Sequence, residues 1–306
     1  MQNISLFERE VIYMKDAVFA DFFRNAGFRV VTAPSADWVE MQKGFLISVP
    51  YHRLINPSDE ELDALIESTG VIGLRYPTAL ENYGFDSNLQ FCRTIGYSLE
   101  NLKRQARQQV KKGAMNFTVR EIAPELLLSD GLPLVRNTCA RQHRHDPKEE
   151  VAYWQNLCRA AKNTPGTITL GVFGEKGLVA FLIILETATA IEFIVQCSDE
   201  ELLPQGPNNL LTFQATRRYL AESENTLPIC YGLGSLEETP SLDRYKTGMG
   251  YELEPIKQRI YIRKNLRWLI NTYSLGVLNI ISKLGFTKNY KLTKSIGIMK
   301  RYLSQH

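Results

Sequence analysis

Between Thr167 and Ile262 the chain reads hairpin, loop, helix, strand, helix and closing strand, and this order limits its fold more than any other feature. Thr167–Phe173 (TITLGVF) and Leu178–Glu186 (LVAFLIILE) are β-rich runs joined by Gly174-Glu175-Lys176-Gly177, a turn with glycine at each end. Ala190–Cys197 (AIEFIVQC) is a third strand, followed by a polar loop from Ser198 that closes on Gly206-Pro207-Asn208-Asn209. Leu210–Ala221 then sets Leu210, Phe213, Leu220 and Ala221 at helical spacing. Ile229–Leu233 is again a strand, Ser235–Tyr245 a short helix, and Ile256–Ile262 the closing run. A strand that passes through a Gly/Asn loop into a helix gathers unpaired N–H groups and a positive dipole end at one point. A phosphate can sit there without a dedicated side chain.

The flanks extend the alternation. Ala17–Ala26 reads as helix and Arg29–Thr32 as strand; Gly44–Val49 (GFLISV) is a strand ending in Pro50-Tyr51-His52-Arg53. Ser58 caps a helix running to about Ser68, with Glu61 three residues on. Val71–Tyr76 is strand-like, and Phe91–Ile95, helix Leu99–Lys112 and strand Asn116–Ile122 form a junction. Pro124–Gln142 and Glu149–Lys162 are two further helices, with Arg141–Pro147 between them. Beyond Ile262, Leu266, Leu269, Ile270, Tyr273, Val277, Ile280, Ile281 and Leu284 fall on one helical face.

A chain of 306 residues has room for one large or two modest domains. No apolar run reaches the roughly 18–20 residues of a membrane span. The start, MQNISLFERE, lacks the charged-then-apolar pattern of a secretion signal. Cys92, Cys139, Cys158, Cys197 and Cys230 are odd in number and lack CxxC spacing, so they read as reduced core thiols, with no disulfide framework and no metal site. These features point to the cytoplasm. Charge is uneven: Pro255 to His306 holds eleven Lys/Arg and no Asp or Glu, which leaves the preceding residues net acidic. Such a tail fits the inner face of a membrane carrying anionic lipid, or packing of its apolar stripe onto the body.

The segment order, closed by Lys246-Thr247-Gly248-Met249-Gly250-Tyr251, resembles the GNAT acyltransferase superfamily, and more closely its tandem FemABX-like branch. Tyr97–Val119 (YSLENLKRQARQQVKKGAMNFTV) is similar to that branch's basic helix, small-residue turn and strand; Tyr245, Lys246 and Gly250 match its Phe/Tyr-Lys-x-x-x-Gly element. The resemblance implies an α/β fold with mixed β-sheets and flanking helices, two GNAT-like halves around one cleft. Residues 1–95 would be a degenerate first half, 96–262 the acyltransferase half, and 263–306 a basic helical tail. It further implies acyl or aminoacyl transfer to an amine or hydroxyl, with acyl-CoA or aminoacyl-tRNA as co-substrate and no tightly bound cofactor. The acceptor would be a small molecule or a peptide or glycan precursor. The GNAT pyrophosphate loop, Gln/Arg-x-x-Gly-x-Gly/Ala, is missing, and Pro204-Gln205-Gly206-Pro207-Asn208-Asn209 stands in its place, so the donor stays open. A third reading keeps the fold without the chemistry, as a binding scaffold whose tail meets a membrane or polymer.

Acyl transfer needs donors aimed at the developing oxyanion and an acceptor for the nucleophile's proton. Lys246, at the branch's lysine position, is the first candidate for the oxyanion; its plain alternative is a solvated helix-end lysine. Asn208 and Asn209 suit a donor phosphate or carbonyl and equally an ordinary N-cap; Gly206 suits close backbone approach or a simple Gly-Pro turn. His143 is a candidate base, and Arg141, Arg144 and His145 candidate acceptor ligands, against a solvated loop before Pro147. Arg53 and Tyr51 suit an acidic group on the acceptor, or a surface turn. Glu192 and Gln196 alternate with Ile191, Phe193 and Val195 and are expected on one face of a cleft-lining strand, Glu192 as a second candidate base. Arg104, Arg107, Lys111 and Lys112 recur at helical spacing, fit for tRNA phosphates or for a solvated face.

Overall fold

The structure, a computed structural model, describes residues 17–141, 150–223, 226–236, 240–283 and 290–305. In chain order its helices and strands are α1 (residues 17–25), β1 (Val30–Thr32), β2 (Asp37–Gln42), β3 (Phe45–Val49), α2 (Asp59–Thr69), β4 (Gly73–Thr78) and β5 (Phe85–Cys92). They continue as α3 (Arg104–Asn116), β6 (Thr118–Glu121), α4 (Leu132–Arg141), α5 (Val151–Asn163), β7 (Thr167–Gly174), β8 (Gly177–Glu186), β9 (Ile191–Ser198) and α6 (Pro207–Leu220). Last come β10 (Ile229–Leu233), α7 (Pro240–Gly248), β11 (Glu252–Ile262), α8 (Thr272–Lys283) and α9 (Tyr290–Ser304). The class is α/β with mixed sheets and flanking helices, as expected. The residues cluster into two units: Met1–Gly27, Gln90–Gly232 and Pro240–Leu253 form one, and Phe28–Leu89, Leu233–Thr239 and Glu254–His306 the other.

In the first unit the strands lie in the order β10-β9-β8-β7-β6. β6 to β9 are antiparallel, and β10 joins β9 in parallel. The run that reads as unbroken apolar sequence, β8, is covered on both faces: Val179 to Leu185 are all buried. One face meets α3 and α6 through Ala106, Val110, Leu210, Leu211 and Phe213. The expected helix at Leu99–Lys112 is divided. Ser98 and Asn101 exchange capping hydrogen bonds around a 3₁₀ turn at Leu99–Asn101, and α3 starts afresh at Arg104. The expected helix at 124–142 likewise opens as one π-type turn at Leu127–Gly131 before α4. The expected start of α6 is also corrected. Gly206, with φ +84°, takes the N-cap position and Pro207 follows as first helical residue, so Asn208 and Asn209 lie inside the first turn.

In the second unit the strands run β1-β2-β3-β4-β11, with the start of β5 next. β3 and β4 are parallel, and the other pairs with recorded register antiparallel. β2 was not recognised in the sequence because Asp37, Glu40 and Gln42 interrupt its apolar residues. Ser58 accepts from the Glu61 N–H at 3.3 Å, as its capping role required, and Gly70 at φ +75° ends α2. That helix buries Leu62, Leu65 and Ile66 on Trp38, Leu46, Leu74 and Tyr76, each worth about 1.5–3 kcal/mol of burial.

The tail does not continue as one amphipathic helix from Leu266. A 3₁₀ stretch, Lys264–Leu269, ends at extended Ile270. Asn271 and Ser274 then exchange N–H to side-chain bonds at 2.9 and 3.1 Å, a reciprocal cap that starts α8. Leu266 and Ile270 turn inward while Trp268 and Tyr273 stay exposed. α9 seats Ile298 and Tyr302 on Ile260, Ile262 and Phe85, and Gln305 brackets the Ile260 N–H and C=O at 3.1 and 2.7 Å. α9 therefore packs on β11, while the side chains of Val277, Ile280, Ile281 and Leu284 lie outside the described residues.

Candidate active site

β9 and β10 are paired at only two positions, Ile229 with Ile191 and Cys230 with Glu192, after which β9 remains paired with β8 alone. A bulge follows the last of these pairs. Along β8, Ile184 pairs with Phe193 and Ile183 with Val195, so Ile194 is the extra residue. A bulge shifts the alternation by one, and this overturns the expected common face for Glu192 and Gln196. Glu192 shares its face with Leu185, and Gln196 with Leu182 on the opposite face.

On the Gln196 side the space is filled by a hydroxyl network. The Tyr231 hydroxyl donates to Gln196 Oε1, and Thr212 Oγ1 lies 2.8 Å from the Tyr245 hydroxyl and 3.3 Å from Gln196 Oε1. Tyr245 reaches on to the Asn208 carbonyl at 3.0 Å. Tyr251 bonds Thr216 at 2.7 Å and packs its ring 5.2 Å from that of Tyr231. Burial pushes the hydroxyl pKa of Tyr231, Tyr245 and Tyr251 upward, so all three remain neutral donors.

Lys246, on the last turn of α7, is 6 % exposed. Its ammonium donates to Gln90 Oε1 and, at 2.6 Å, to the Tyr231 carbonyl, and it stands 4.4 Å from the centre of the Tyr231 ring. Two neutral oxygens and a π face hold the charge. The nearest carboxylate acts at one remove: Gln90 Nε2 donates to Asp243 Oδ1 at 3.2 Å. Burial lowers the Lys246 pKa to about 8, opposed by Cys230 and Asp243. On the other face Glu192, 1 % exposed, accepts from the Cys230 thiol. Burial and that carboxylate raise the thiol pKa well above its usual value, which keeps Cys230 from acting as a nucleophile.

The loop before α6 is seated on α3. A Cβ on Gly206 would stand 2.2 Å from the Gln109 carbonyl oxygen, and Lys112 Nζ donates to the Pro204 carbonyl at 2.8 Å. Close backbone approach at Gly206 is therefore made to the chain itself. Asn208 Nδ2 donates to Ser198 Oγ at 3.0 Å, and its Oδ1 is buried without a hydrogen bond among the described residues. Asn209 Nδ2 contacts Met249 Sδ at 3.3 Å.

Lys246, Glu192, Gln196, Asn208 and Asn209 thus fall in one neighbourhood of the first unit. Arg141 ends α4, with Nη1 buried and unbonded among the described residues. His143, Arg144 and His145 lie outside the described residues. Tyr51 and Arg53 belong to the second unit, just after the cis Val49–Pro50 bond. Gln90 and Thr212 had no sequence signal beyond alternation and helical spacing. Only the resemblance brought Lys246 forward.

Solved structures with the same fold exist. FemX aligns over 79 % of this chain and 85 % of its own, with 13 % identity and a TM-score of 0.51. L-PGS from Bacillus licheniformis aligns over 85 % and 93 %, with 10 % identity and a TM-score of 0.51. A conserved protein of unknown function from Bacteroides thetaiotaomicron aligns over 85 % and 98 %, with 11 % identity and a TM-score of 0.56. No protein-family model and no curated protein matches the chain. The chain thus shares the fold of FemX and L-PGS, at low sequence identity.

Proposed function

We propose that the chain is an acyltransferase that moves an acyl or aminoacyl group from a thioester or ester to an amine or hydroxyl by direct attack. The observation that carries this reading is Lys246, a buried ammonium held by neutral oxygens where β9 and β10 part. One preorganised donor to a developing oxyanion is worth about 2.7–4 kcal/mol, and Lys246 would supply it. His143 would take the nucleophile's proton, since Glu192 faces away from Gln196 and is held by the Cys230 thiol. Gln196, Arg141, Arg144 and His145 would bind the acceptor, a small molecule or a peptide or glycan precursor. Asn208 and Asn209 would hold the donor.

A specific observation favours an aminoacyl-tRNA ester over acyl-CoA. The α6 turn that a pyrophosphate would use is packed on α3, whereas Arg104 and Lys111 on that helix stay exposed and available to nucleic-acid phosphates. FemX and L-PGS share the fold. Exposed Trp268 and Tyr273 in a tail rich in Lys and Arg support peripheral contact with an anionic membrane. Among the described residues no helix is long and apolar enough to cross one.

A thermal-shift screen of acetyl-CoA, longer acyl-CoAs and charged tRNA tests the reading. The true donor at a hundredfold excess over its Kd should stabilise the fold by about 2.7 kcal/mol. Lys246→Ala should cut turnover by roughly 10²–10³ while leaving donor affinity near its original value. Unchanged turnover removes the lysine from the chemistry, and silence from every donor leaves the binding-scaffold reading.

A further inference from the structure

The second unit holds a cation that the acyl-transfer reading leaves unused. Arg75 lies on β4, and its register with β11 puts Arg75 and Gln258 on the same face of the sheet, the face on which Ile260 and Ile262 meet α9. One edge of its guanidinium is fixed: Nε donates to Gln258 Oε1 at 2.6 Å and Nη2 to the Gly234 carbonyl at 2.9 Å. Gln258, fully buried, is itself locked, its Nε2 donating to the Ser87 hydroxyl and to the same Gly234 carbonyl. The end-on edge, Nη1 with the second Nη2 proton, has no protein acceptor among the described residues.

Every partner of Arg75 is neutral, and no described carboxylate pairs with it. Among the described residues, the charge that acts on it is of the same sign. Arg301 on α9, anchored through Nε to the Leu236 carbonyl at 2.9 Å, repels Arg75, while Tyr51 favours its charged form. Burial, with that repulsion, lowers the Arg75 pKa to about 10, so the group is still charged at neutral pH. Two arginines converging at a partly covered place, one with its fork open, form an arrangement that an oxyanion completes.

We propose that Arg75, clamped by Gln258 and Gly234 and flanked by Tyr51 and Arg301, is the floor of a phosphate-binding site within the second unit. A tetrahedral oxyanion with two or more acceptor oxygens can take the end-on fork of Arg75 and still lie within the field of Arg301, which a single neutral carbonyl cannot exploit. The ligand class is a phosphate ester, whether on a soluble metabolite or on a lipid headgroup. This assignment goes beyond the acyl-transfer reading and stands or falls without it.

The test uses the full chain. Inorganic phosphate is titrated against chloride at matched ionic strength, and both the melting temperature and the heat of binding are followed. A saturable rise of roughly 3–6 °C at a hundredfold excess over Kd is expected. Arg75→Gln should abolish it. Because that variant can lose folding, Gln258→Glu carries a second test: it supplies an internal carboxylate beside Arg75, at the loss of the donation to the Gly234 carbonyl, and should remove the phosphate response. No saturable rise in the wild type, or a full response in Gln258→Glu, overturns the proposal. Vesicles then identify the source. Sedimentation with phosphatidylglycerol but not phosphatidylcholine vesicles, competed by phosphate and lost in Gln258→Glu, assigns a lipid headgroup. Phosphate binding without such competition assigns a soluble ester.

Discussion

Lys246 in the first unit and Arg75 in the second are both cations held by neutral oxygens, yet they suit opposite tasks. Lys246 is wrapped by the Tyr231 ring and carbonyl and by Gln90, and burial brings its pKa to about 8. It can change charge inside the working range of an enzyme. Arg75 is shifted too, but only to about 10, and it keeps its charge throughout that range. A group that must stabilise transient charge benefits from being poised; a group that holds a permanently charged ligand benefits from being fixed. The amine on its flexible stem and the planar fork serve these ends by their chemistry.

The largest expected effect breaks or keeps the first half of that contrast. If Lys246 works as the ammonium, turnover should fall about tenfold per pH unit above about 8. Lys246→Arg, which cannot deprotonate there, should lose that limb whatever its absolute rate. A rising limb through the same pH would instead make the neutral amine the active form. Next in size is Gly206→Ala. It places a Cβ 2.2 Å from the Gln109 carbonyl at a residue with φ +84°, so it should cost about 2–4 kcal/mol in urea unfolding. A cost below 1 kcal/mol would mean that α3 yields easily and leaves the α6 turn open to a ligand.

Stability against pH sharpens the contrast further. The folded-state pKa of Lys246 lies below its ordinary 10.5, so the cost of burying the charge is full below pH 8 and fades as pH rises from about 8 to 10.5. Wild-type stability should therefore gain up to about 3 kcal/mol across that window. Lys246→Met should show no such gain. Arg75, also lowered, gives its own rise only from about pH 10 upward, toward 12.5. Parallel curves for wild type and Lys246→Met between pH 8 and 10 would show that Lys246 does not titrate as described.

The order of elements from Thr167 to Ile262 was legible because each has a strong local cause: an apolar run too short for a helix, a glycine-bounded turn, a helical period. The Ser58 cap on α2 was legible for the same reason. What could not be read depends on partners distant in sequence. The Ile194 bulge arises from register against β8, so simple alternation put Glu192 and Gln196 on one face. Arg75 reads as one cation in an ordinary strand until Gln258, far along the chain, closes on it. Gly206 was legible as a place of close approach, while the identity of what approaches, the Gln109 backbone, was not.

The smallest effect separates ring from hydroxyl in holding Lys246. Tyr231→Phe removes the bond to Gln196 but leaves the ring 4.4 Å from the ammonium and the carbonyl that accepts from it. Gln196 Oε1 keeps the Thr212 hydroxyl at 3.3 Å, so no buried acceptor is stranded. A loss of only about 0.5–1.5 kcal/mol in stability is expected, with the activity limb near pH 8 unmoved. Should the limb move by a full unit, the hydroxyl network sets the lysine's charge, and the aromatic face is only packing. The first unit would then hold its cation as the second does, through oxygens alone.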